Sequence, residues 1–324
     1  MNNLIDKARH IPVPDAQLTV SFSPVMVKAS GRQTPLELRI TAPVSGDKLP
    51  IVLLSHGHGP SLYIPSKDGY GPLASFLAER GFAVIQPSHA NSKIAGLPPT
   101  APGGPMFWRQ RVEELTLVID RLGEIEANLP GLANRLDHSR IAAVGHSLGG
   151  QTVGMLLGAR LTDPNDPEAQ DVDLKDPRVT RGVLLAAPGN GGDDLAPAIR
   201  ERYSALNPDY SHLSTKTLVV YGDADVSPHL TIRGADWHAD AYRYGPGADA
   251  LLTLFGAKHG LGGVAGYDAK ETDDENPDRL ATTRRMTWAY LWSAFHPSNE
   301  AWSKAQAALQ EYASDVGQIE RKAG

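Results

Sequence analysis

Four short segments of this 324-residue chain hold residues able to do covalent chemistry. Gly145-His146-Ser147-Leu148-Gly149-Gly150 carries the pattern G-x-S-x-G. A serine in that pattern, between a strand and a helix, sits on a sharp strained turn with its hydroxyl exposed. The helix that follows points free N–H groups at the site, which favours developing negative charge. Serine is a weak nucleophile and needs a base, which in turn needs an orienting acid. Gly256-Ala257-Lys258-His259-Gly260 supplies the base, His259. Tyr221-Gly222-Asp223-Ala224-Asp225-Val226 supplies two candidate acids. Asp225 fits better, because the turn after the strand must carry the carboxylate across to the histidine, while Asp223 is expected to cap that turn through its own backbone. In Ser55-His56-Gly57-His58-Gly59, a backbone N–H at a strand end completes an oxyanion hole. The two donors assigned are the N–H of His58 and the N–H of Leu148. The reaction these residues point to is acyl transfer through Ser147, Asp225 and His259, with no metal or organic cofactor. His56 and His58 lack a third ligand at a recognisable spacing, so a metal site is not expected there.

These segments need elements to hold them. Ile51-Val52-Leu53-Leu54, Phe82 to Ile85, Ile141 to Val144, Val183 to Ala186, Leu218 to Tyr221 and Leu251 to Phe255 are short apolar runs. They suit parallel strands covered on both faces. Leu73 to Arg80, Arg109 to Asn128, Leu148 to Arg160, Asp278 to Phe295 and Glu300 to Val316 read as helices, the fourth with Asn276 as N-cap and Pro277 at its first position. Leu18 to Val27 and Leu36 to Thr41 flank the turn Ser30-Gly31-Arg32-Gln33 and predict a hairpin. The fold class is α/β: a mostly parallel central sheet flanked by helices. Each candidate catalytic residue then falls just past the C-terminal end of a strand, where open α/β sheets place their sites. Tyr63, Phe107, Trp108 and His89, with His56, are expected around the substrate pocket, the aromatics equally able to pack over the sheet edge. The glycine-rich Gly260 to Tyr267 is expected to flex over the entrance.

Composition narrows the function further. With 31 basic and 37 acidic residues the formal charge is −6, and nothing suggests nucleic acid or an anionic membrane as partner. There is no cysteine, which excludes disulfides, cysteine nucleophiles, iron–sulfur clusters and thiolate zinc sites. No apolar run approaches a membrane span, and the N-terminal stretch lacks a signal-peptide core. A cytoplasmic location is therefore expected, with secretion after removal of a leader left open. The acidic segments Asp163 to Asp176 and Glu271 to Asp278 lack the ligand spacing of a calcium loop and read as solvated surface loops. A single domain spanning residues 1–324 is expected, with a β-hairpin in residues 1–45, a small cap in 187–217 and a helical tail in 297–324.

With these residues in place, the chain resembles the α/β-hydrolase superfamily, in which the triad follows the order serine, acid, histidine. More narrowly it is similar to the dienelactone-hydrolase-like and chlorophyllase-like serine esterases, near the polyester hydrolases and platelet-activating-factor acetylhydrolases. The resemblance runs from about Leu36 to Phe295. It is carried by His56-Gly57, Asp68-Gly69-Tyr70, Phe82 to Pro87, Gly145 to Gly150, Gly222 to Asp225 and Gly256 to Gly260. It implies the same triad and oxyanion hole and a small-molecule ester as substrate. A dienelactone hydrolase proper uses a cysteine nucleophile, which this chain lacks. An acyltransferase, lactonase or perhydrolase would use the same triad and differ only in the acceptor. A non-catalytic binding protein would need a broken triad, and an epoxide hydrolase or dehalogenase would need an aspartate at Ser147.

Overall fold

Why the apolar runs become strands is visible in how their side chains divide. Ile51 and Leu53 enter one core, and Val52 and Leu54 enter the other. The same alternation splits Ala143 from Ala142 and Val144, and Val219 from Leu218 and Val220. A strand buried on both faces has this period of two without any polar residue. Each fully buried leucine or isoleucine contributes about 2 kcal/mol to folding.

The computed structural model describes residues 4–29, 32, 34–267, 269, 271 and 273–322. Its strands are β1 (Thr19–Val27), β2 (Leu36–Pro43), β3 (Leu49–Ser55), β4 (Ala83–Pro87), β5 (Leu136–His146), β6 (Arg160–Leu161), β7 (Val172–Asp173), β8 (Val179–Leu185), β9 (Pro208–Asp209), β10 (Thr217–Gly222), β11 (Ala248–Leu254) and β12 (Gly317–Arg321). Its helices are α1 (Gly71–Ala78), α2 (Trp108–Asp120), α3 (Leu122–Ala127), α4 (Leu148–Leu156), α5 (Pro197–Arg202), α6 (Asp240–Tyr244), α7 (Pro277–Phe295) and α8 (Ala301–Tyr312). The main sheet has the order β1-β2-β4-β3-β5-β8-β10-β11-β12. Strands β4, β3, β5, β8, β10 and β11 are parallel neighbours, while β1, β2 and β12 join antiparallel at the edges. Helices α2 and α4 pack on one face, and α1, α7 and α8 on the other. This is the α/β architecture expected from the strand–helix alternation. Among the described residues no helix is long and apolar enough to cross a membrane.

Several expectations need correction. The helix foreseen over 109–128 is two helices, broken at Arg121, whose ψ of 6° leaves the helical range beside Gly123. The helix after Ser147 ends at Leu156, because Gly158 adopts φ +113° and turns the chain. The C-terminal segment is not helical throughout: after α8 it adds β12 to the edge of β11. β1 and β2 pair as foreseen, but Ser30, Gly31 and Gln33 of the turn lie outside the described residues. The second acidic segment is structural. Asp278 accepts the N–H groups of Asp6, Lys7 and Ala8, and Asp274 accepts those of Lys258 and Gly262.

The central parallel strands leave almost no space where β5 passes into α4. A Cβ on Gly149 would lie 2.1 Å from the carbonyl oxygen of Ser55 at the end of β3. Gly149→Ala is therefore expected to destabilise the protein by about 3 kcal/mol, the upper range for overpacking a tight core. Denaturant unfolding measures this, and a loss below about 1 kcal/mol would mean that β3 and α4 are not in such close contact.

Candidate active site

Ser147 occupies the hinge between β5 and α4 with φ 56° and ψ −124°. For a residue with a Cβ this conformation is strained, and it turns the hydroxyl out above the sheet. The strand ends of β10 and β11 bring the other two groups to it. His259 Nε2 lies 2.9 Å from Ser147 Oγ, and His259 Nδ1 lies 2.8 Å from Asp225 Oδ2. Asp223 does not approach His259. It accepts the N–H of Gly256 at 2.6 Å, so it ties the β10 turn to the β11 turn instead of capping its own backbone.

The segment after β3 lies against the serine. A Cβ on Gly57 would stand 3.2 Å from Ser147 Cβ, so any larger residue there would push on Ser147. The N–H of Gly57 is used, donating to Tyr70 Oη at 3.0 Å. Among the described residues, the N–H groups of His58 and Leu148 meet no acceptor. Leu148 opens α4, where no carbonyl one turn earlier is available to accept it. Both residues, with Ser147 and His259, line a cleft of about 330 Å³.

The rest of that cleft differs from the sequence expectation. Its walls are Met106, Pro188, Tyr203, Leu206, Ser227, His229 and Leu230. His56, Tyr63, His89, Phe107 and Trp108 are not among its lining residues. His56 and His89 are buried behind the site, where His56 Nε2 accepts the N–H of His89 at 3.0 Å. Phe107 and Trp108 turn into the protein or toward neighbouring clefts, leaving the adjacent Met106 to face the serine. Tyr63 is half-buried in the loop before α1. Gly260 to Tyr267 does not lie over the entrance either: Leu261 and Val264 are fully buried, and Ala265 accepts the N–H of Tyr70. The segment 187–217 contributes Pro188, Tyr203 and Leu206. Because wall residues come from loops after several strands, no spacing in the sequence marks them.

Three buried groups that sequence reasoning passed over hold the site. Tyr70 Oη receives the N–H of Gly57, so its own proton goes to His146 Nδ1 at 2.9 Å. His146 Nε2–H then donates to the carbonyl of His259 at 2.7 Å. This chain links the Gly57 segment to the His259 loop and fixes the neutral tautomer of His146. Burial first, then the nearby His259, pushes the His146 pKa down to about 3. His238 is buried beside Asp225. Its Nδ1 donates to the Ala187 carbonyl at 2.8 Å, and its Nε2 lies 3.1 Å from Asp225 Oδ2 at an angle that makes no hydrogen bond. Asp225, His238 and His259 bring ligand-type atoms within 4.8 Å of one another and are the group among the described residues able to hold a metal.

The sequence pattern of the alpha/beta hydrolase family matches residues 51–319, most of the chain. The chain therefore belongs to that family. Comparison with curated proteins finds no match.

Electrostatics give the site a testable titration. Burial alone would lower the pKa of His259, but the hydrogen bond and negative charge of Asp225 outweigh it and hold the value above the ordinary 6.5. Asp225 itself is held below its usual range, its burial outweighed by His259. His259 is thus expected to gain its proton as pH falls through a value above 6.5. In Asp225→Asn the support disappears and burial dominates, so the midpoint falls. Ring NMR resonances of His259 report both values, and an unshifted or rising midpoint in the variant would contradict this coupling.

Proposed function

We propose that this member of the alpha/beta hydrolase family is a serine carboxylic-ester hydrolase that works through Ser147, His259 and Asp225. The observation that carries the reading is the continuous chain Asp225–His259–Ser147, with contacts of 2.8 and 2.9 Å, opening on the cleft beside two unpaired N–H groups. His259 Nε2 takes the Ser147 proton as Oγ attacks the ester carbonyl. The carbonyl oxygen becomes an oxyanion facing the N–H groups of His58 and Leu148, each worth roughly 3 kcal/mol in the transition state. The C–O bond to the alcohol then breaks, and His259 returns the proton to the leaving oxygen. A water molecule gives its proton to His259, attacks the acyl carbonyl and releases the acid, and the proton goes back to Ser147. Asp225 keeps the imidazole in the tautomer with Nδ1–H and stabilises its cationic form.

Within the family, the His56-Gly57 strand end and the Gly256 to Gly260 turn support a place among the dienelactone-hydrolase-like and chlorophyllase-like serine esterases. The cleft walls are mostly apolar, and its volume of about 330 Å³ is at the small end for ligand pockets. Esters of short acyl chains fit that space best.

A panel of p-nitrophenyl esters tests this. Acetate and butyrate are expected to be cleaved with higher kcat/KM than palmitate. Ser147→Ala is expected to lower kcat by ~10⁴-fold or more, and Asp223→Ala to cost far less than Asp225→Ala. No cleavage by the wild type, or full activity in Ser147→Ala, would refute the proposal. Equal effects at the two aspartates would refute the assignment of the acid.

A further inference from the structure

Arg111 has no role in the chemistry above, yet its surroundings are unusual. It stands on α2 with no exposed surface. Taking a guanidinium out of water is costly unless a counter-charge lies against it. Among the described residues no carboxylate is within ion-pair distance of it, and its hydrogen bonds all go to neutral oxygens. Nε donates to Thr152 Oγ1 at 2.8 Å, Nη1 to Asn91 Oδ1, and Nη2 to Ser55 Oγ at 3.2 Å and to the carbonyl of His56 at 2.5 Å.

Ser55, His56 and Thr152 belong to the two segments that carry the proposed oxyanion donors, and Asn91 stands in the loop after β4. Ser55 and His56 lead directly into Gly57 and His58, and the Asn91 amide meets His58 Nδ1 at 3.3 Å. Thr152 passes its hydroxyl proton to the carbonyl of Leu148 at 3.0 Å. One side chain is therefore linked, through one intervening residue on each side, to both His58 and Leu148. Ser55 accepts from Arg111, so its own proton points at His89 Nε2, 2.9 Å away, and His89 Nδ1–H donates to Glu114 Oε2 at 2.8 Å. The carboxylate that ends the chain from Ser55, Glu114, is already ion-paired with Arg32. Ser55, His89 and Glu114 have the bonding pattern of a second triad. Ser55 and His89 have no exposed surface, so no substrate reaches that serine.

We infer that Arg111 is the positioning residue of the oxyanion hole: it holds the His58 and Leu148 segments in register and places an unpaired buried positive charge behind their N–H groups. The charge that balances it arrives when the carbonyl oxygen becomes an oxyanion. Substrate in its ground state is neutral, so the benefit falls on the transition state and not on binding. Burial lowers the pKa of Arg111 to about 9, which leaves it protonated at neutral pH.

The inference rests on the ester-hydrolase reading, and the experiment separates the two. In the full-length protein, Arg111→Met and Arg111→Lys are compared with wild type for p-nitrophenyl butyrate hydrolysis. Affinity for butylboronic acid, which binds as a tetrahedral anion on serine, is measured by calorimetry. Arg111→Met is expected to lose ~10²-fold in kcat, the scale of one oxyanion donor, with KM nearly unchanged. Boronate affinity should fall in step, Arg111→Lys should recover part of both, and added guanidinium should restore part of the Met variant's kcat. A folded Arg111→Met that keeps kcat and boronate affinity, or that changes KM alone, overturns the inference. Should that variant fail to fold, Thr152→Val severs only the Leu148 arm; about a 10-fold loss of kcat at constant KM supports the role, and unchanged kcat overturns it. If wild type neither hydrolyses the ester nor binds the boronate, the ester-hydrolase reading fails instead.

Discussion

The strained turn at Ser147 is the constraint on which the rest of the structure depends. Strand β5 must hand the chain to α4 within one residue, and φ 56° is the result. Such strain persists only where the surroundings over-determine it. Here a Cβ on Gly149 would collide with the end of β3 and one on Gly57 would crowd Ser147, so both positions admit only glycine without a shift. The same closeness brings His58 and Leu148 to the cleft that Ser147 lines. Packing, strain and the candidate chemistry are thus consequences of one crossing point in a parallel sheet.

Around that point the polar groups are arranged in two buried chains. On one side, Gly57, Tyr70 and His146 run to the backbone of His259, so the segment after β3 and the loop after β11 share a single set of hydrogen bonds. On the other, Arg111 spans Ser55, His56 and Thr152. Buried polar networks of this kind specify one geometry when every member is satisfied. These chains define the positions of groups that loops alone would leave loose.

How far the sequence reveals this depends on whether a feature is local. The six parallel strands are legible because burial on both faces produces short apolar runs such as Ile51 to Leu54. Ser147, Asp225 and His259 are legible because each follows such a run directly, and the fold brings those three strand ends together. Strand β12 is hidden, since an edge strand that carries Gln318, Glu320 and Arg321 has no apolar signature. The cleft walls at Met106, Pro188 and Leu230 are hidden because each depends on where a loop folds back. Phe107 and Trp108 mislead for the same reason: their size marks them as buried but not in which direction they point. Arg111 reads as one more charge on an amphipathic helix, and only the three-dimensional neighbours show that it faces inward.

The central claim is that Ser147 is an activated nucleophile. Intact-protein mass spectrometry after treatment with a fluorophosphonate tests it most directly, because the reagent phosphonylates only a serine whose proton is being removed. One adduct per chain, mapped by peptide analysis to Ser147 and lost when His259 is replaced by alanine, is the predicted result. An unlabelled protein, or an adduct on any other serine, would contradict it.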